Sequence, residues 1–145
     1  MADLTNDTAG IRRLLAARRR IAVVGASPDP ARDSHQIFQY LLEHGHDAVP
    51  VNPRVGEITG HRCYPDLQAT AEHWGQPPEI VDVFRAPEHL PDIIDQAIAV
   101  GAYLVWCQFG VVDPQANKKA LEAGLDIVVD RCIKVEHGRL VAQPS

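Results

Sequence analysis

Five short clusters of residues suited to holding a ligand follow five apolar runs in this sequence. The first is Gly25-Ala26-Ser27-Pro28-Asp29-Pro30, where the glycine permits close backbone approach and Ser27 offers a hydroxyl. Free backbone N–H groups at such a turn, and at the start of a helix near Ser34, suit a phosphate. The second cluster, Asn52-Pro53-Arg54, puts a cation where a carboxylate for ribose hydroxyls would otherwise stand. A guanidinium there favours a phosphate on the adenosine ribose, because it pairs with phosphate in a bidentate fork. Phe84-Arg85-Ala86-Pro87 supplies an apolar wall, another cation and a proline able to start a helix. Gln108-Phe109-Gly110 brings an amide and a flexible glycine, and Asp130-Arg131-Cys132 an arginine and a thiol.

The glycine pattern departs from the dinucleotide fingerprint. GxGxxG requires glycines at 27 and 30, where Ser27 and Pro30 stand. None of the clusters holds a carboxylate pair or a Ser/His/Asp order, so the set describes a binding cleft better than a reaction centre. His44 and His46 flank a helix stop and read as surface residues rather than metal ligands, and His61 and Cys63 form no metal pattern.

The elements that must position these clusters follow from hydrophobic periodicity. Residues 20–25 (RIAVVG) are a β-branched run ending in glycine, as expected of a strand buried on both faces of a parallel sheet. Ile37, Phe38, Leu41 and Leu42 then fall at helical spacing over 34–44, with Gly45 as the stop. Residues 48–51 read as a second strand, 80–84 as a third, 103–107 as a fourth and 127–129 as a fifth. Helices are expected over 87–100 and 114–123, ended by Gly101 and Gly124. Residues 54–78 read mostly as connection, with a helical turn or two over 67–73, and 134–140 carry no assignable pattern. Strands alternating with helices predict an α/β, Rossmann-like, doubly wound and mostly parallel five-stranded sheet with helices on both faces. One domain over 1–145 is expected, with an N-terminal helix in 1–19 and a tail from 134.

Composition narrows the function classes. A chain of 145 residues, 46% hydrophobic and 23% charged, is ordinary for a globular domain. Its net charge of -5 argues against nucleic acid and anionic lipid as partners, since both demand a cationic face. The basic run of Arg12, Arg13, Arg18, Arg19 and Arg20 reads as a solvated helix with cations at its negative end. No run has signal-peptide or membrane-span length, so the expected location is the cytoplasm. Cys63, Cys107 and Cys132 are odd in number and widely spaced, as expected of free thiols.

With these residues in view, the chain resembles the CoA-binding family related to the nucleotide-binding domain of the succinyl-CoA synthetase α subunit. The resemblance runs in order through IAVVGASPDPARDSH, VPVNPR, CYPDL, VDVFR, VWCQFG and DRCIKVEH, from about residue 21 to 140. It implies a Rossmann-type domain with coenzyme A along the carboxyl edge of its sheet. Gly25, Ala26 and Ser27 would meet the diphosphate, with Arg32, Ser34 or His35 closing over it. Asn52, Pro53 and Arg54 would lie by the adenosine and its ribose phosphate, and Phe84 and Arg85 would flank adenine or ribose. Gln108, Gly110, Arg131 and Cys132 would line the way to the pantetheine arm. The expected function is CoA binding without a reaction of its own, for sensing, storage or delivery to a partner enzyme. The alternatives are an NADP-dependent oxidoreductase and an acyl-CoA ligase subunit acting with another chain. Cys132 reads first as a half-buried apolar residue and second as a thiol able to pair with that of CoA. The phosphohistidine of a synthetase belongs to a further domain, so His137 does not inherit that role.

Overall fold

The computed structural model describes residues 2–142. Five strands, β1 (Arg20–Val24), β2 (Asp47–Val51), β5 (Ile80–Val83), β6 (Leu104–Cys107) and β7 (Asp126–Val129), form one parallel sheet in the order β2-β1-β5-β6-β7. Between β2 and β5 the chain makes a two-stranded hairpin, β3 (Glu57–Ile58) and β4 (His61–Arg62), and then helix α3 (Leu67–Trp74). The predicted helical turns at 67–73 are thus present. The hairpin was not legible because each of its strands is only two residues long.

Side chains alternate across each strand, so each face of the sheet needs its own cover. Ile21, Val23, Ile80, Leu104 and Trp106 pack under α1 (Thr8–Ala16), α2 (Asp33–Glu43) and α6 (Ile133–His137), through Leu15, Phe38, Leu41 and Ile133. Ala22, Val24, Val81, Val83, Val105 and Ile127 pack under α3, α4 (Leu90–Val100) and α5 (Pro114–Glu122), through Leu67, Ile94, Ala97 and Ala120. The fold is therefore Rossmann-like, with helices on both faces. The segment from 134, which carried no sequence pattern, is the rest of α6 followed by a π turn over Gly138–Ala142. Residues 143–145 of the expected tail lie outside the described residues.

Both sheet edges are covered by short stretches of backbone. Tyr64 exchanges hydrogen bonds with the β2 edge, donating to Pro50 O and accepting from Asn52 N–H, each at 2.9 Å. At the other edge Leu4 N–H donates to Ile127 O, and Ile127 N–H to Ala2 O. Such cover interrupts the exposed ladder that would template association.

Three sequence readings need correction. His46 is buried, not superficial, because its Nδ1 accepts from Arg19 N–H at 3.1 Å and it packs against His137. Burial, then the neighbouring His137, His44 and Arg19 charges, bring its pKa down to about 4. Arg19 and Arg20 do not belong to a solvated helix, which ends at Ala16. They flank the start of β1 and both pair with the carboxylate of Glu79, at 2.9 and 3.1 Å, stitching β1 to the segment entering β5. Cys132 is buried rather than half-buried.

The central strand β5 also carries a carboxyl group with no solvent exposure, Asp82, between Val23 of β1 and Trp106 of β6. Neither oxygen has a hydrogen-bond partner among the described residues, and burial pushes the pKa well above the usual carboxylate range. The folded protein holds this proton, while the unfolded chain releases it above about pH 4. Asp82 therefore lowers stability as pH rises from about 4, until its folded-state pKa is passed. Asp82→Asn is expected to remove that part of the pH slope in denaturant titrations; an identical slope in the variant would contradict it.

Candidate functional site

The site is set by how β1 ends. Its last amide hand-off is Gly25 N–H to Val51 O, at 2.9 Å, after which the chain turns with φ of +88° at Gly25. A Cβ there would sit 2.9 Å from Arg85 Cδ and 3.3 Å from the Phe84 carbonyl carbon, so both backbone hand and space require glycine. Asn52 ties the ends of β1 and β2 together: its Nδ2 donates to Ala26 O at 3.0 Å, and its Oδ1 accepts from Arg54 N–H at 2.9 Å.

The turn is more self-satisfied than the sequence suggested. Ser27 N–H donates to Ser34 Oγ at 3.1 Å, Ser27 Oγ accepts from Asp29 N–H at 3.1 Å, and His35 Nδ1 donates to Ser27 O at 2.9 Å. Ser34 and His35 thus hold the loop in shape, and Ala26 is a core residue. The N-cap position of α2 is held by Arg32, whose side chain has no acceptor, so among the described residues α2 starts without a side-chain cap, whereas α1, α3 and α5 are capped by Asp7, Asp66 and Asp113. The uncapped N–H groups and positive dipole end of α2 border a cavity of about 470 Å³ lined by Gly25, Ser27, Arg32, Asp33, Ser34 and Phe84.

Two further cavities adjoin it. One of about 140 Å³ shares Gly25 and lies among Pro53, Asp66, Arg85, His89 and Gln96. The other, about 250 Å³, shares Phe84 and Asp33 and is closed by Gln108, Phe109, Val111, Cys132 and Lys134. Together they follow the carboxyl ends of β2, β1, β5 and β6, the edge where open α/β sheets bind ligands. Arg54 and Arg32 are exposed, and neither guanidinium has a partner among the described residues. Arg85 Nη2 meets His89 Nε2 at 3.2 Å.

Two predicted residues point elsewhere. Gly110 gives its N–H to Asp130 Oδ1 at 2.8 Å. The Arg131 guanidinium turns to Thr5 O, Asn6 Oδ1 and Glu136, away from the cavity that Cys132 lines. Sequence reasoning missed Asp33, His89 and Lys134. Asp33 and His89 stand on helix starts beside strand ends that were read, but Lys134 lies on α6, a helix with no visible period.

A larger cavity, about 1120 Å³, lies away from this edge, over α1, α2 and α6. Two of its cations are already engaged, Arg12 with Leu140 O and Arg139 with Glu136, and it borders neither a strand end nor the glycine turn.

Residues 19–138 match the family described as the CoA binding domain. The chain belongs to that family. Within it, a relative is YneT of Bacillus subtilis (strain 168), an uncharacterized protein 35% identical over 129 residues, 89% of this chain and 93% of YneT. A solved hypothetical protein from Pyrococcus horikoshii OT3 is 44% identical over 92% of each chain, with a TM-score of 0.85. The structure of cell-free ID.343 from Thermus thermophilus is 38% identical, covers 92% of this chain and 98% of its own, and has a TM-score of 0.80. The fold also recurs, at 22% identity and a TM-score of 0.67, in 27% of a dinucleotide forming acetyl-coenzyme A synthetase from Ca. Korarchaeum cryptofilum, covering 81% of this chain.

For this CoA-binding domain, Gly25→Ala is expected to cost about 1–2 kcal/mol from backbone hand alone. That corresponds to a Tm drop of roughly 2–8 °C for a chain of this size. An unchanged Tm in a thermal scan would show that the turn relaxes freely and is not fixed by Arg85 and Phe84.

Proposed function

We propose that this chain binds coenzyme A along the carboxyl edge of its sheet, in the cytoplasm, and acts as a sensor, store or carrier rather than as an enzyme by itself. The observation that carries this reading is the uncapped start of α2 facing the Gly25 turn, at the middle of three adjoining cavities. An anion there satisfies N–H groups that no side chain among the described residues caps, and Arg32 stands beside it. The diphosphate of CoA fits this middle position. On one side Pro53 and Arg85 flank the nucleoside, and the unpaired Arg54 meets the ribose phosphate. On the other side Phe84, Gln108 and Cys132 border the pantetheine arm. Gly110 and Arg131 contribute by fixing the loops after β6 and β7 rather than by contact.

The choice of CoA over NADP rests on two features. The turn lacks the second and third fingerprint glycines, and the family is one of CoA binding. The proposed partner is a small molecule, CoA or an acyl-CoA, with a partner enzyme receiving it.

CoA at about 100 times its Kd is expected to stabilise the native state by about 2.7 kcal/mol in a thermal shift assay, and NADPH to leave it unmoved. A response to NADPH alone would overturn the reading. CoA is also expected to stabilise more than dephospho-CoA, and Arg54→Ala to erase that difference; equal stabilisation by both ligands in the unmodified protein would reject the role given to Arg54.

A further inference from the structure

The cavity at the β5–β6 end of the edge is built for a particular kind of chain. Phe84, Ile37 and Val111 give it apolar walls, Asp33, Gln36 and Lys134 add polar ones, and Phe109 is a large apolar side chain 66% exposed. Gln108 is only 5% exposed; its Oε1 accepts from Ile133 N–H at 3.1 Å, and its amide nitrogen donates to no protein group among the described residues. A side-chain amide donor lining a narrow cavity of mixed polar and apolar character suits an amide carbonyl on the occupant. Cys132 lines the same cavity. An amide-containing arm entering from the phosphate end, past the shared Phe84, would bring its terminus into the cavity that Cys132 lines.

We infer that Cys132 is a redox attachment site, forming a mixed disulfide with the thiol end of CoA by exchange with CoA disulfide. The inference rests on the CoA reading above and adds the chemistry of its far end. The Cys132 thiol gives up its proton and attacks one sulfur of CoA disulfide. A Cys132–CoA disulfide bond forms, the original S–S bond breaks, and the second CoA leaves as a thiolate that takes up the proton. No further oxidant is consumed, and a small thiol reductant reverses the step. The protein would then hold CoA covalently when the CoA pool is oxidised and release it when the pool is reduced.

The other two thiols provide internal controls. Cys107 has no exposure, and burial pushes its pKa up to about 12. Cys63 is buried beside β2, where it donates to Asn52 O at 3.7 Å, and burial pushes its pKa up. Neither lines any of the three cavities along the edge.

The test is intact mass spectrometry of the reduced protein after incubation with CoA disulfide, with peptide mapping to place the adduct. One CoA adduct on Cys132 is expected, absent in Cys132→Ser, retained in Cys63→Ala and reversed by dithiothreitol. Because the nucleotide delivers the disulfide to the sulfur, glutathione disulfide is expected to react on the order of tenfold more slowly or worse. No adduct, an adduct on Cys63 or Cys107, or equal rates with the two disulfides would overturn the inference. Reduced CoA in a thermal shift assay with Cys132→Ser separates the two levels. Stabilisation without any adduct in the unmodified protein leaves CoA binding standing and removes the disulfide; neither stabilisation nor adduct removes both.

Discussion

Strand β1 is hydrogen-bonded on both sides and packed on both faces, so when it ends the chain must leave the sheet within the space that its neighbours allow. Gly25 is where this happens. The strand pairs with β2 and β5 through Val24, and the next residue already lies against Arg85 and Phe84 with a backbone hand that other residues adopt at a cost. From that constraint follow the Ser27–Ser34 and Ser27–His35 hydrogen bonds and the opening between strand ends, which the uncapped start of α2 borders. The same crowding places Phe84 between the middle cavity and the one that Cys132 lines, making the three cavities a single path.

The five main strands were legible as short apolar runs, and the helices α2, α4 and α5 because their apolar residues recur at helical spacing and stop at Gly45, Gly101 and Gly124. The missed features depend on partners far away in sequence. His46 looked like a surface residue until the backbone of Arg19 claimed its ring nitrogen. Arg19 and Arg20 looked like part of a basic helix because Glu79, which both pair with, lies some sixty positions on. Tyr64 on the β2 edge and Asp3 on the β7 edge are single-residue bridges, too short to leave a periodic trace. Asp82 did leave one, a lone acid inside an apolar run, and its cost falls on stability rather than on the cleft.

For the site the balance was similar. The clusters after each strand were readable because a parallel sheet directs them to one edge, and Gly25, Ser27, Arg32, Ser34, Pro53, Phe84, Arg85, Gln108 and Cys132 all line cavities there. Side-chain direction was not readable. Arg131 is adjacent to Cys132 in sequence yet reaches the N-terminal segment, and Gly110 spends its N–H on Asp130. Ser34 and His35 both hold the loop after β1 in shape, and Ser34 also borders the middle cavity. A fold shared with many activities does not assign one, so the functional claim stands on this edge and its donors.

The most direct measurement of that claim is the pattern of amide chemical-shift changes as CoA is titrated into the labelled protein. The account predicts changes that begin at Gly25, Ser27, Asp33 and Ser34 and extend to Phe84 and the side-chain amide of Gln108. Changes confined to the large cavity around Arg12, Tyr40, His44 and Arg139, or none at saturating CoA, would contradict it.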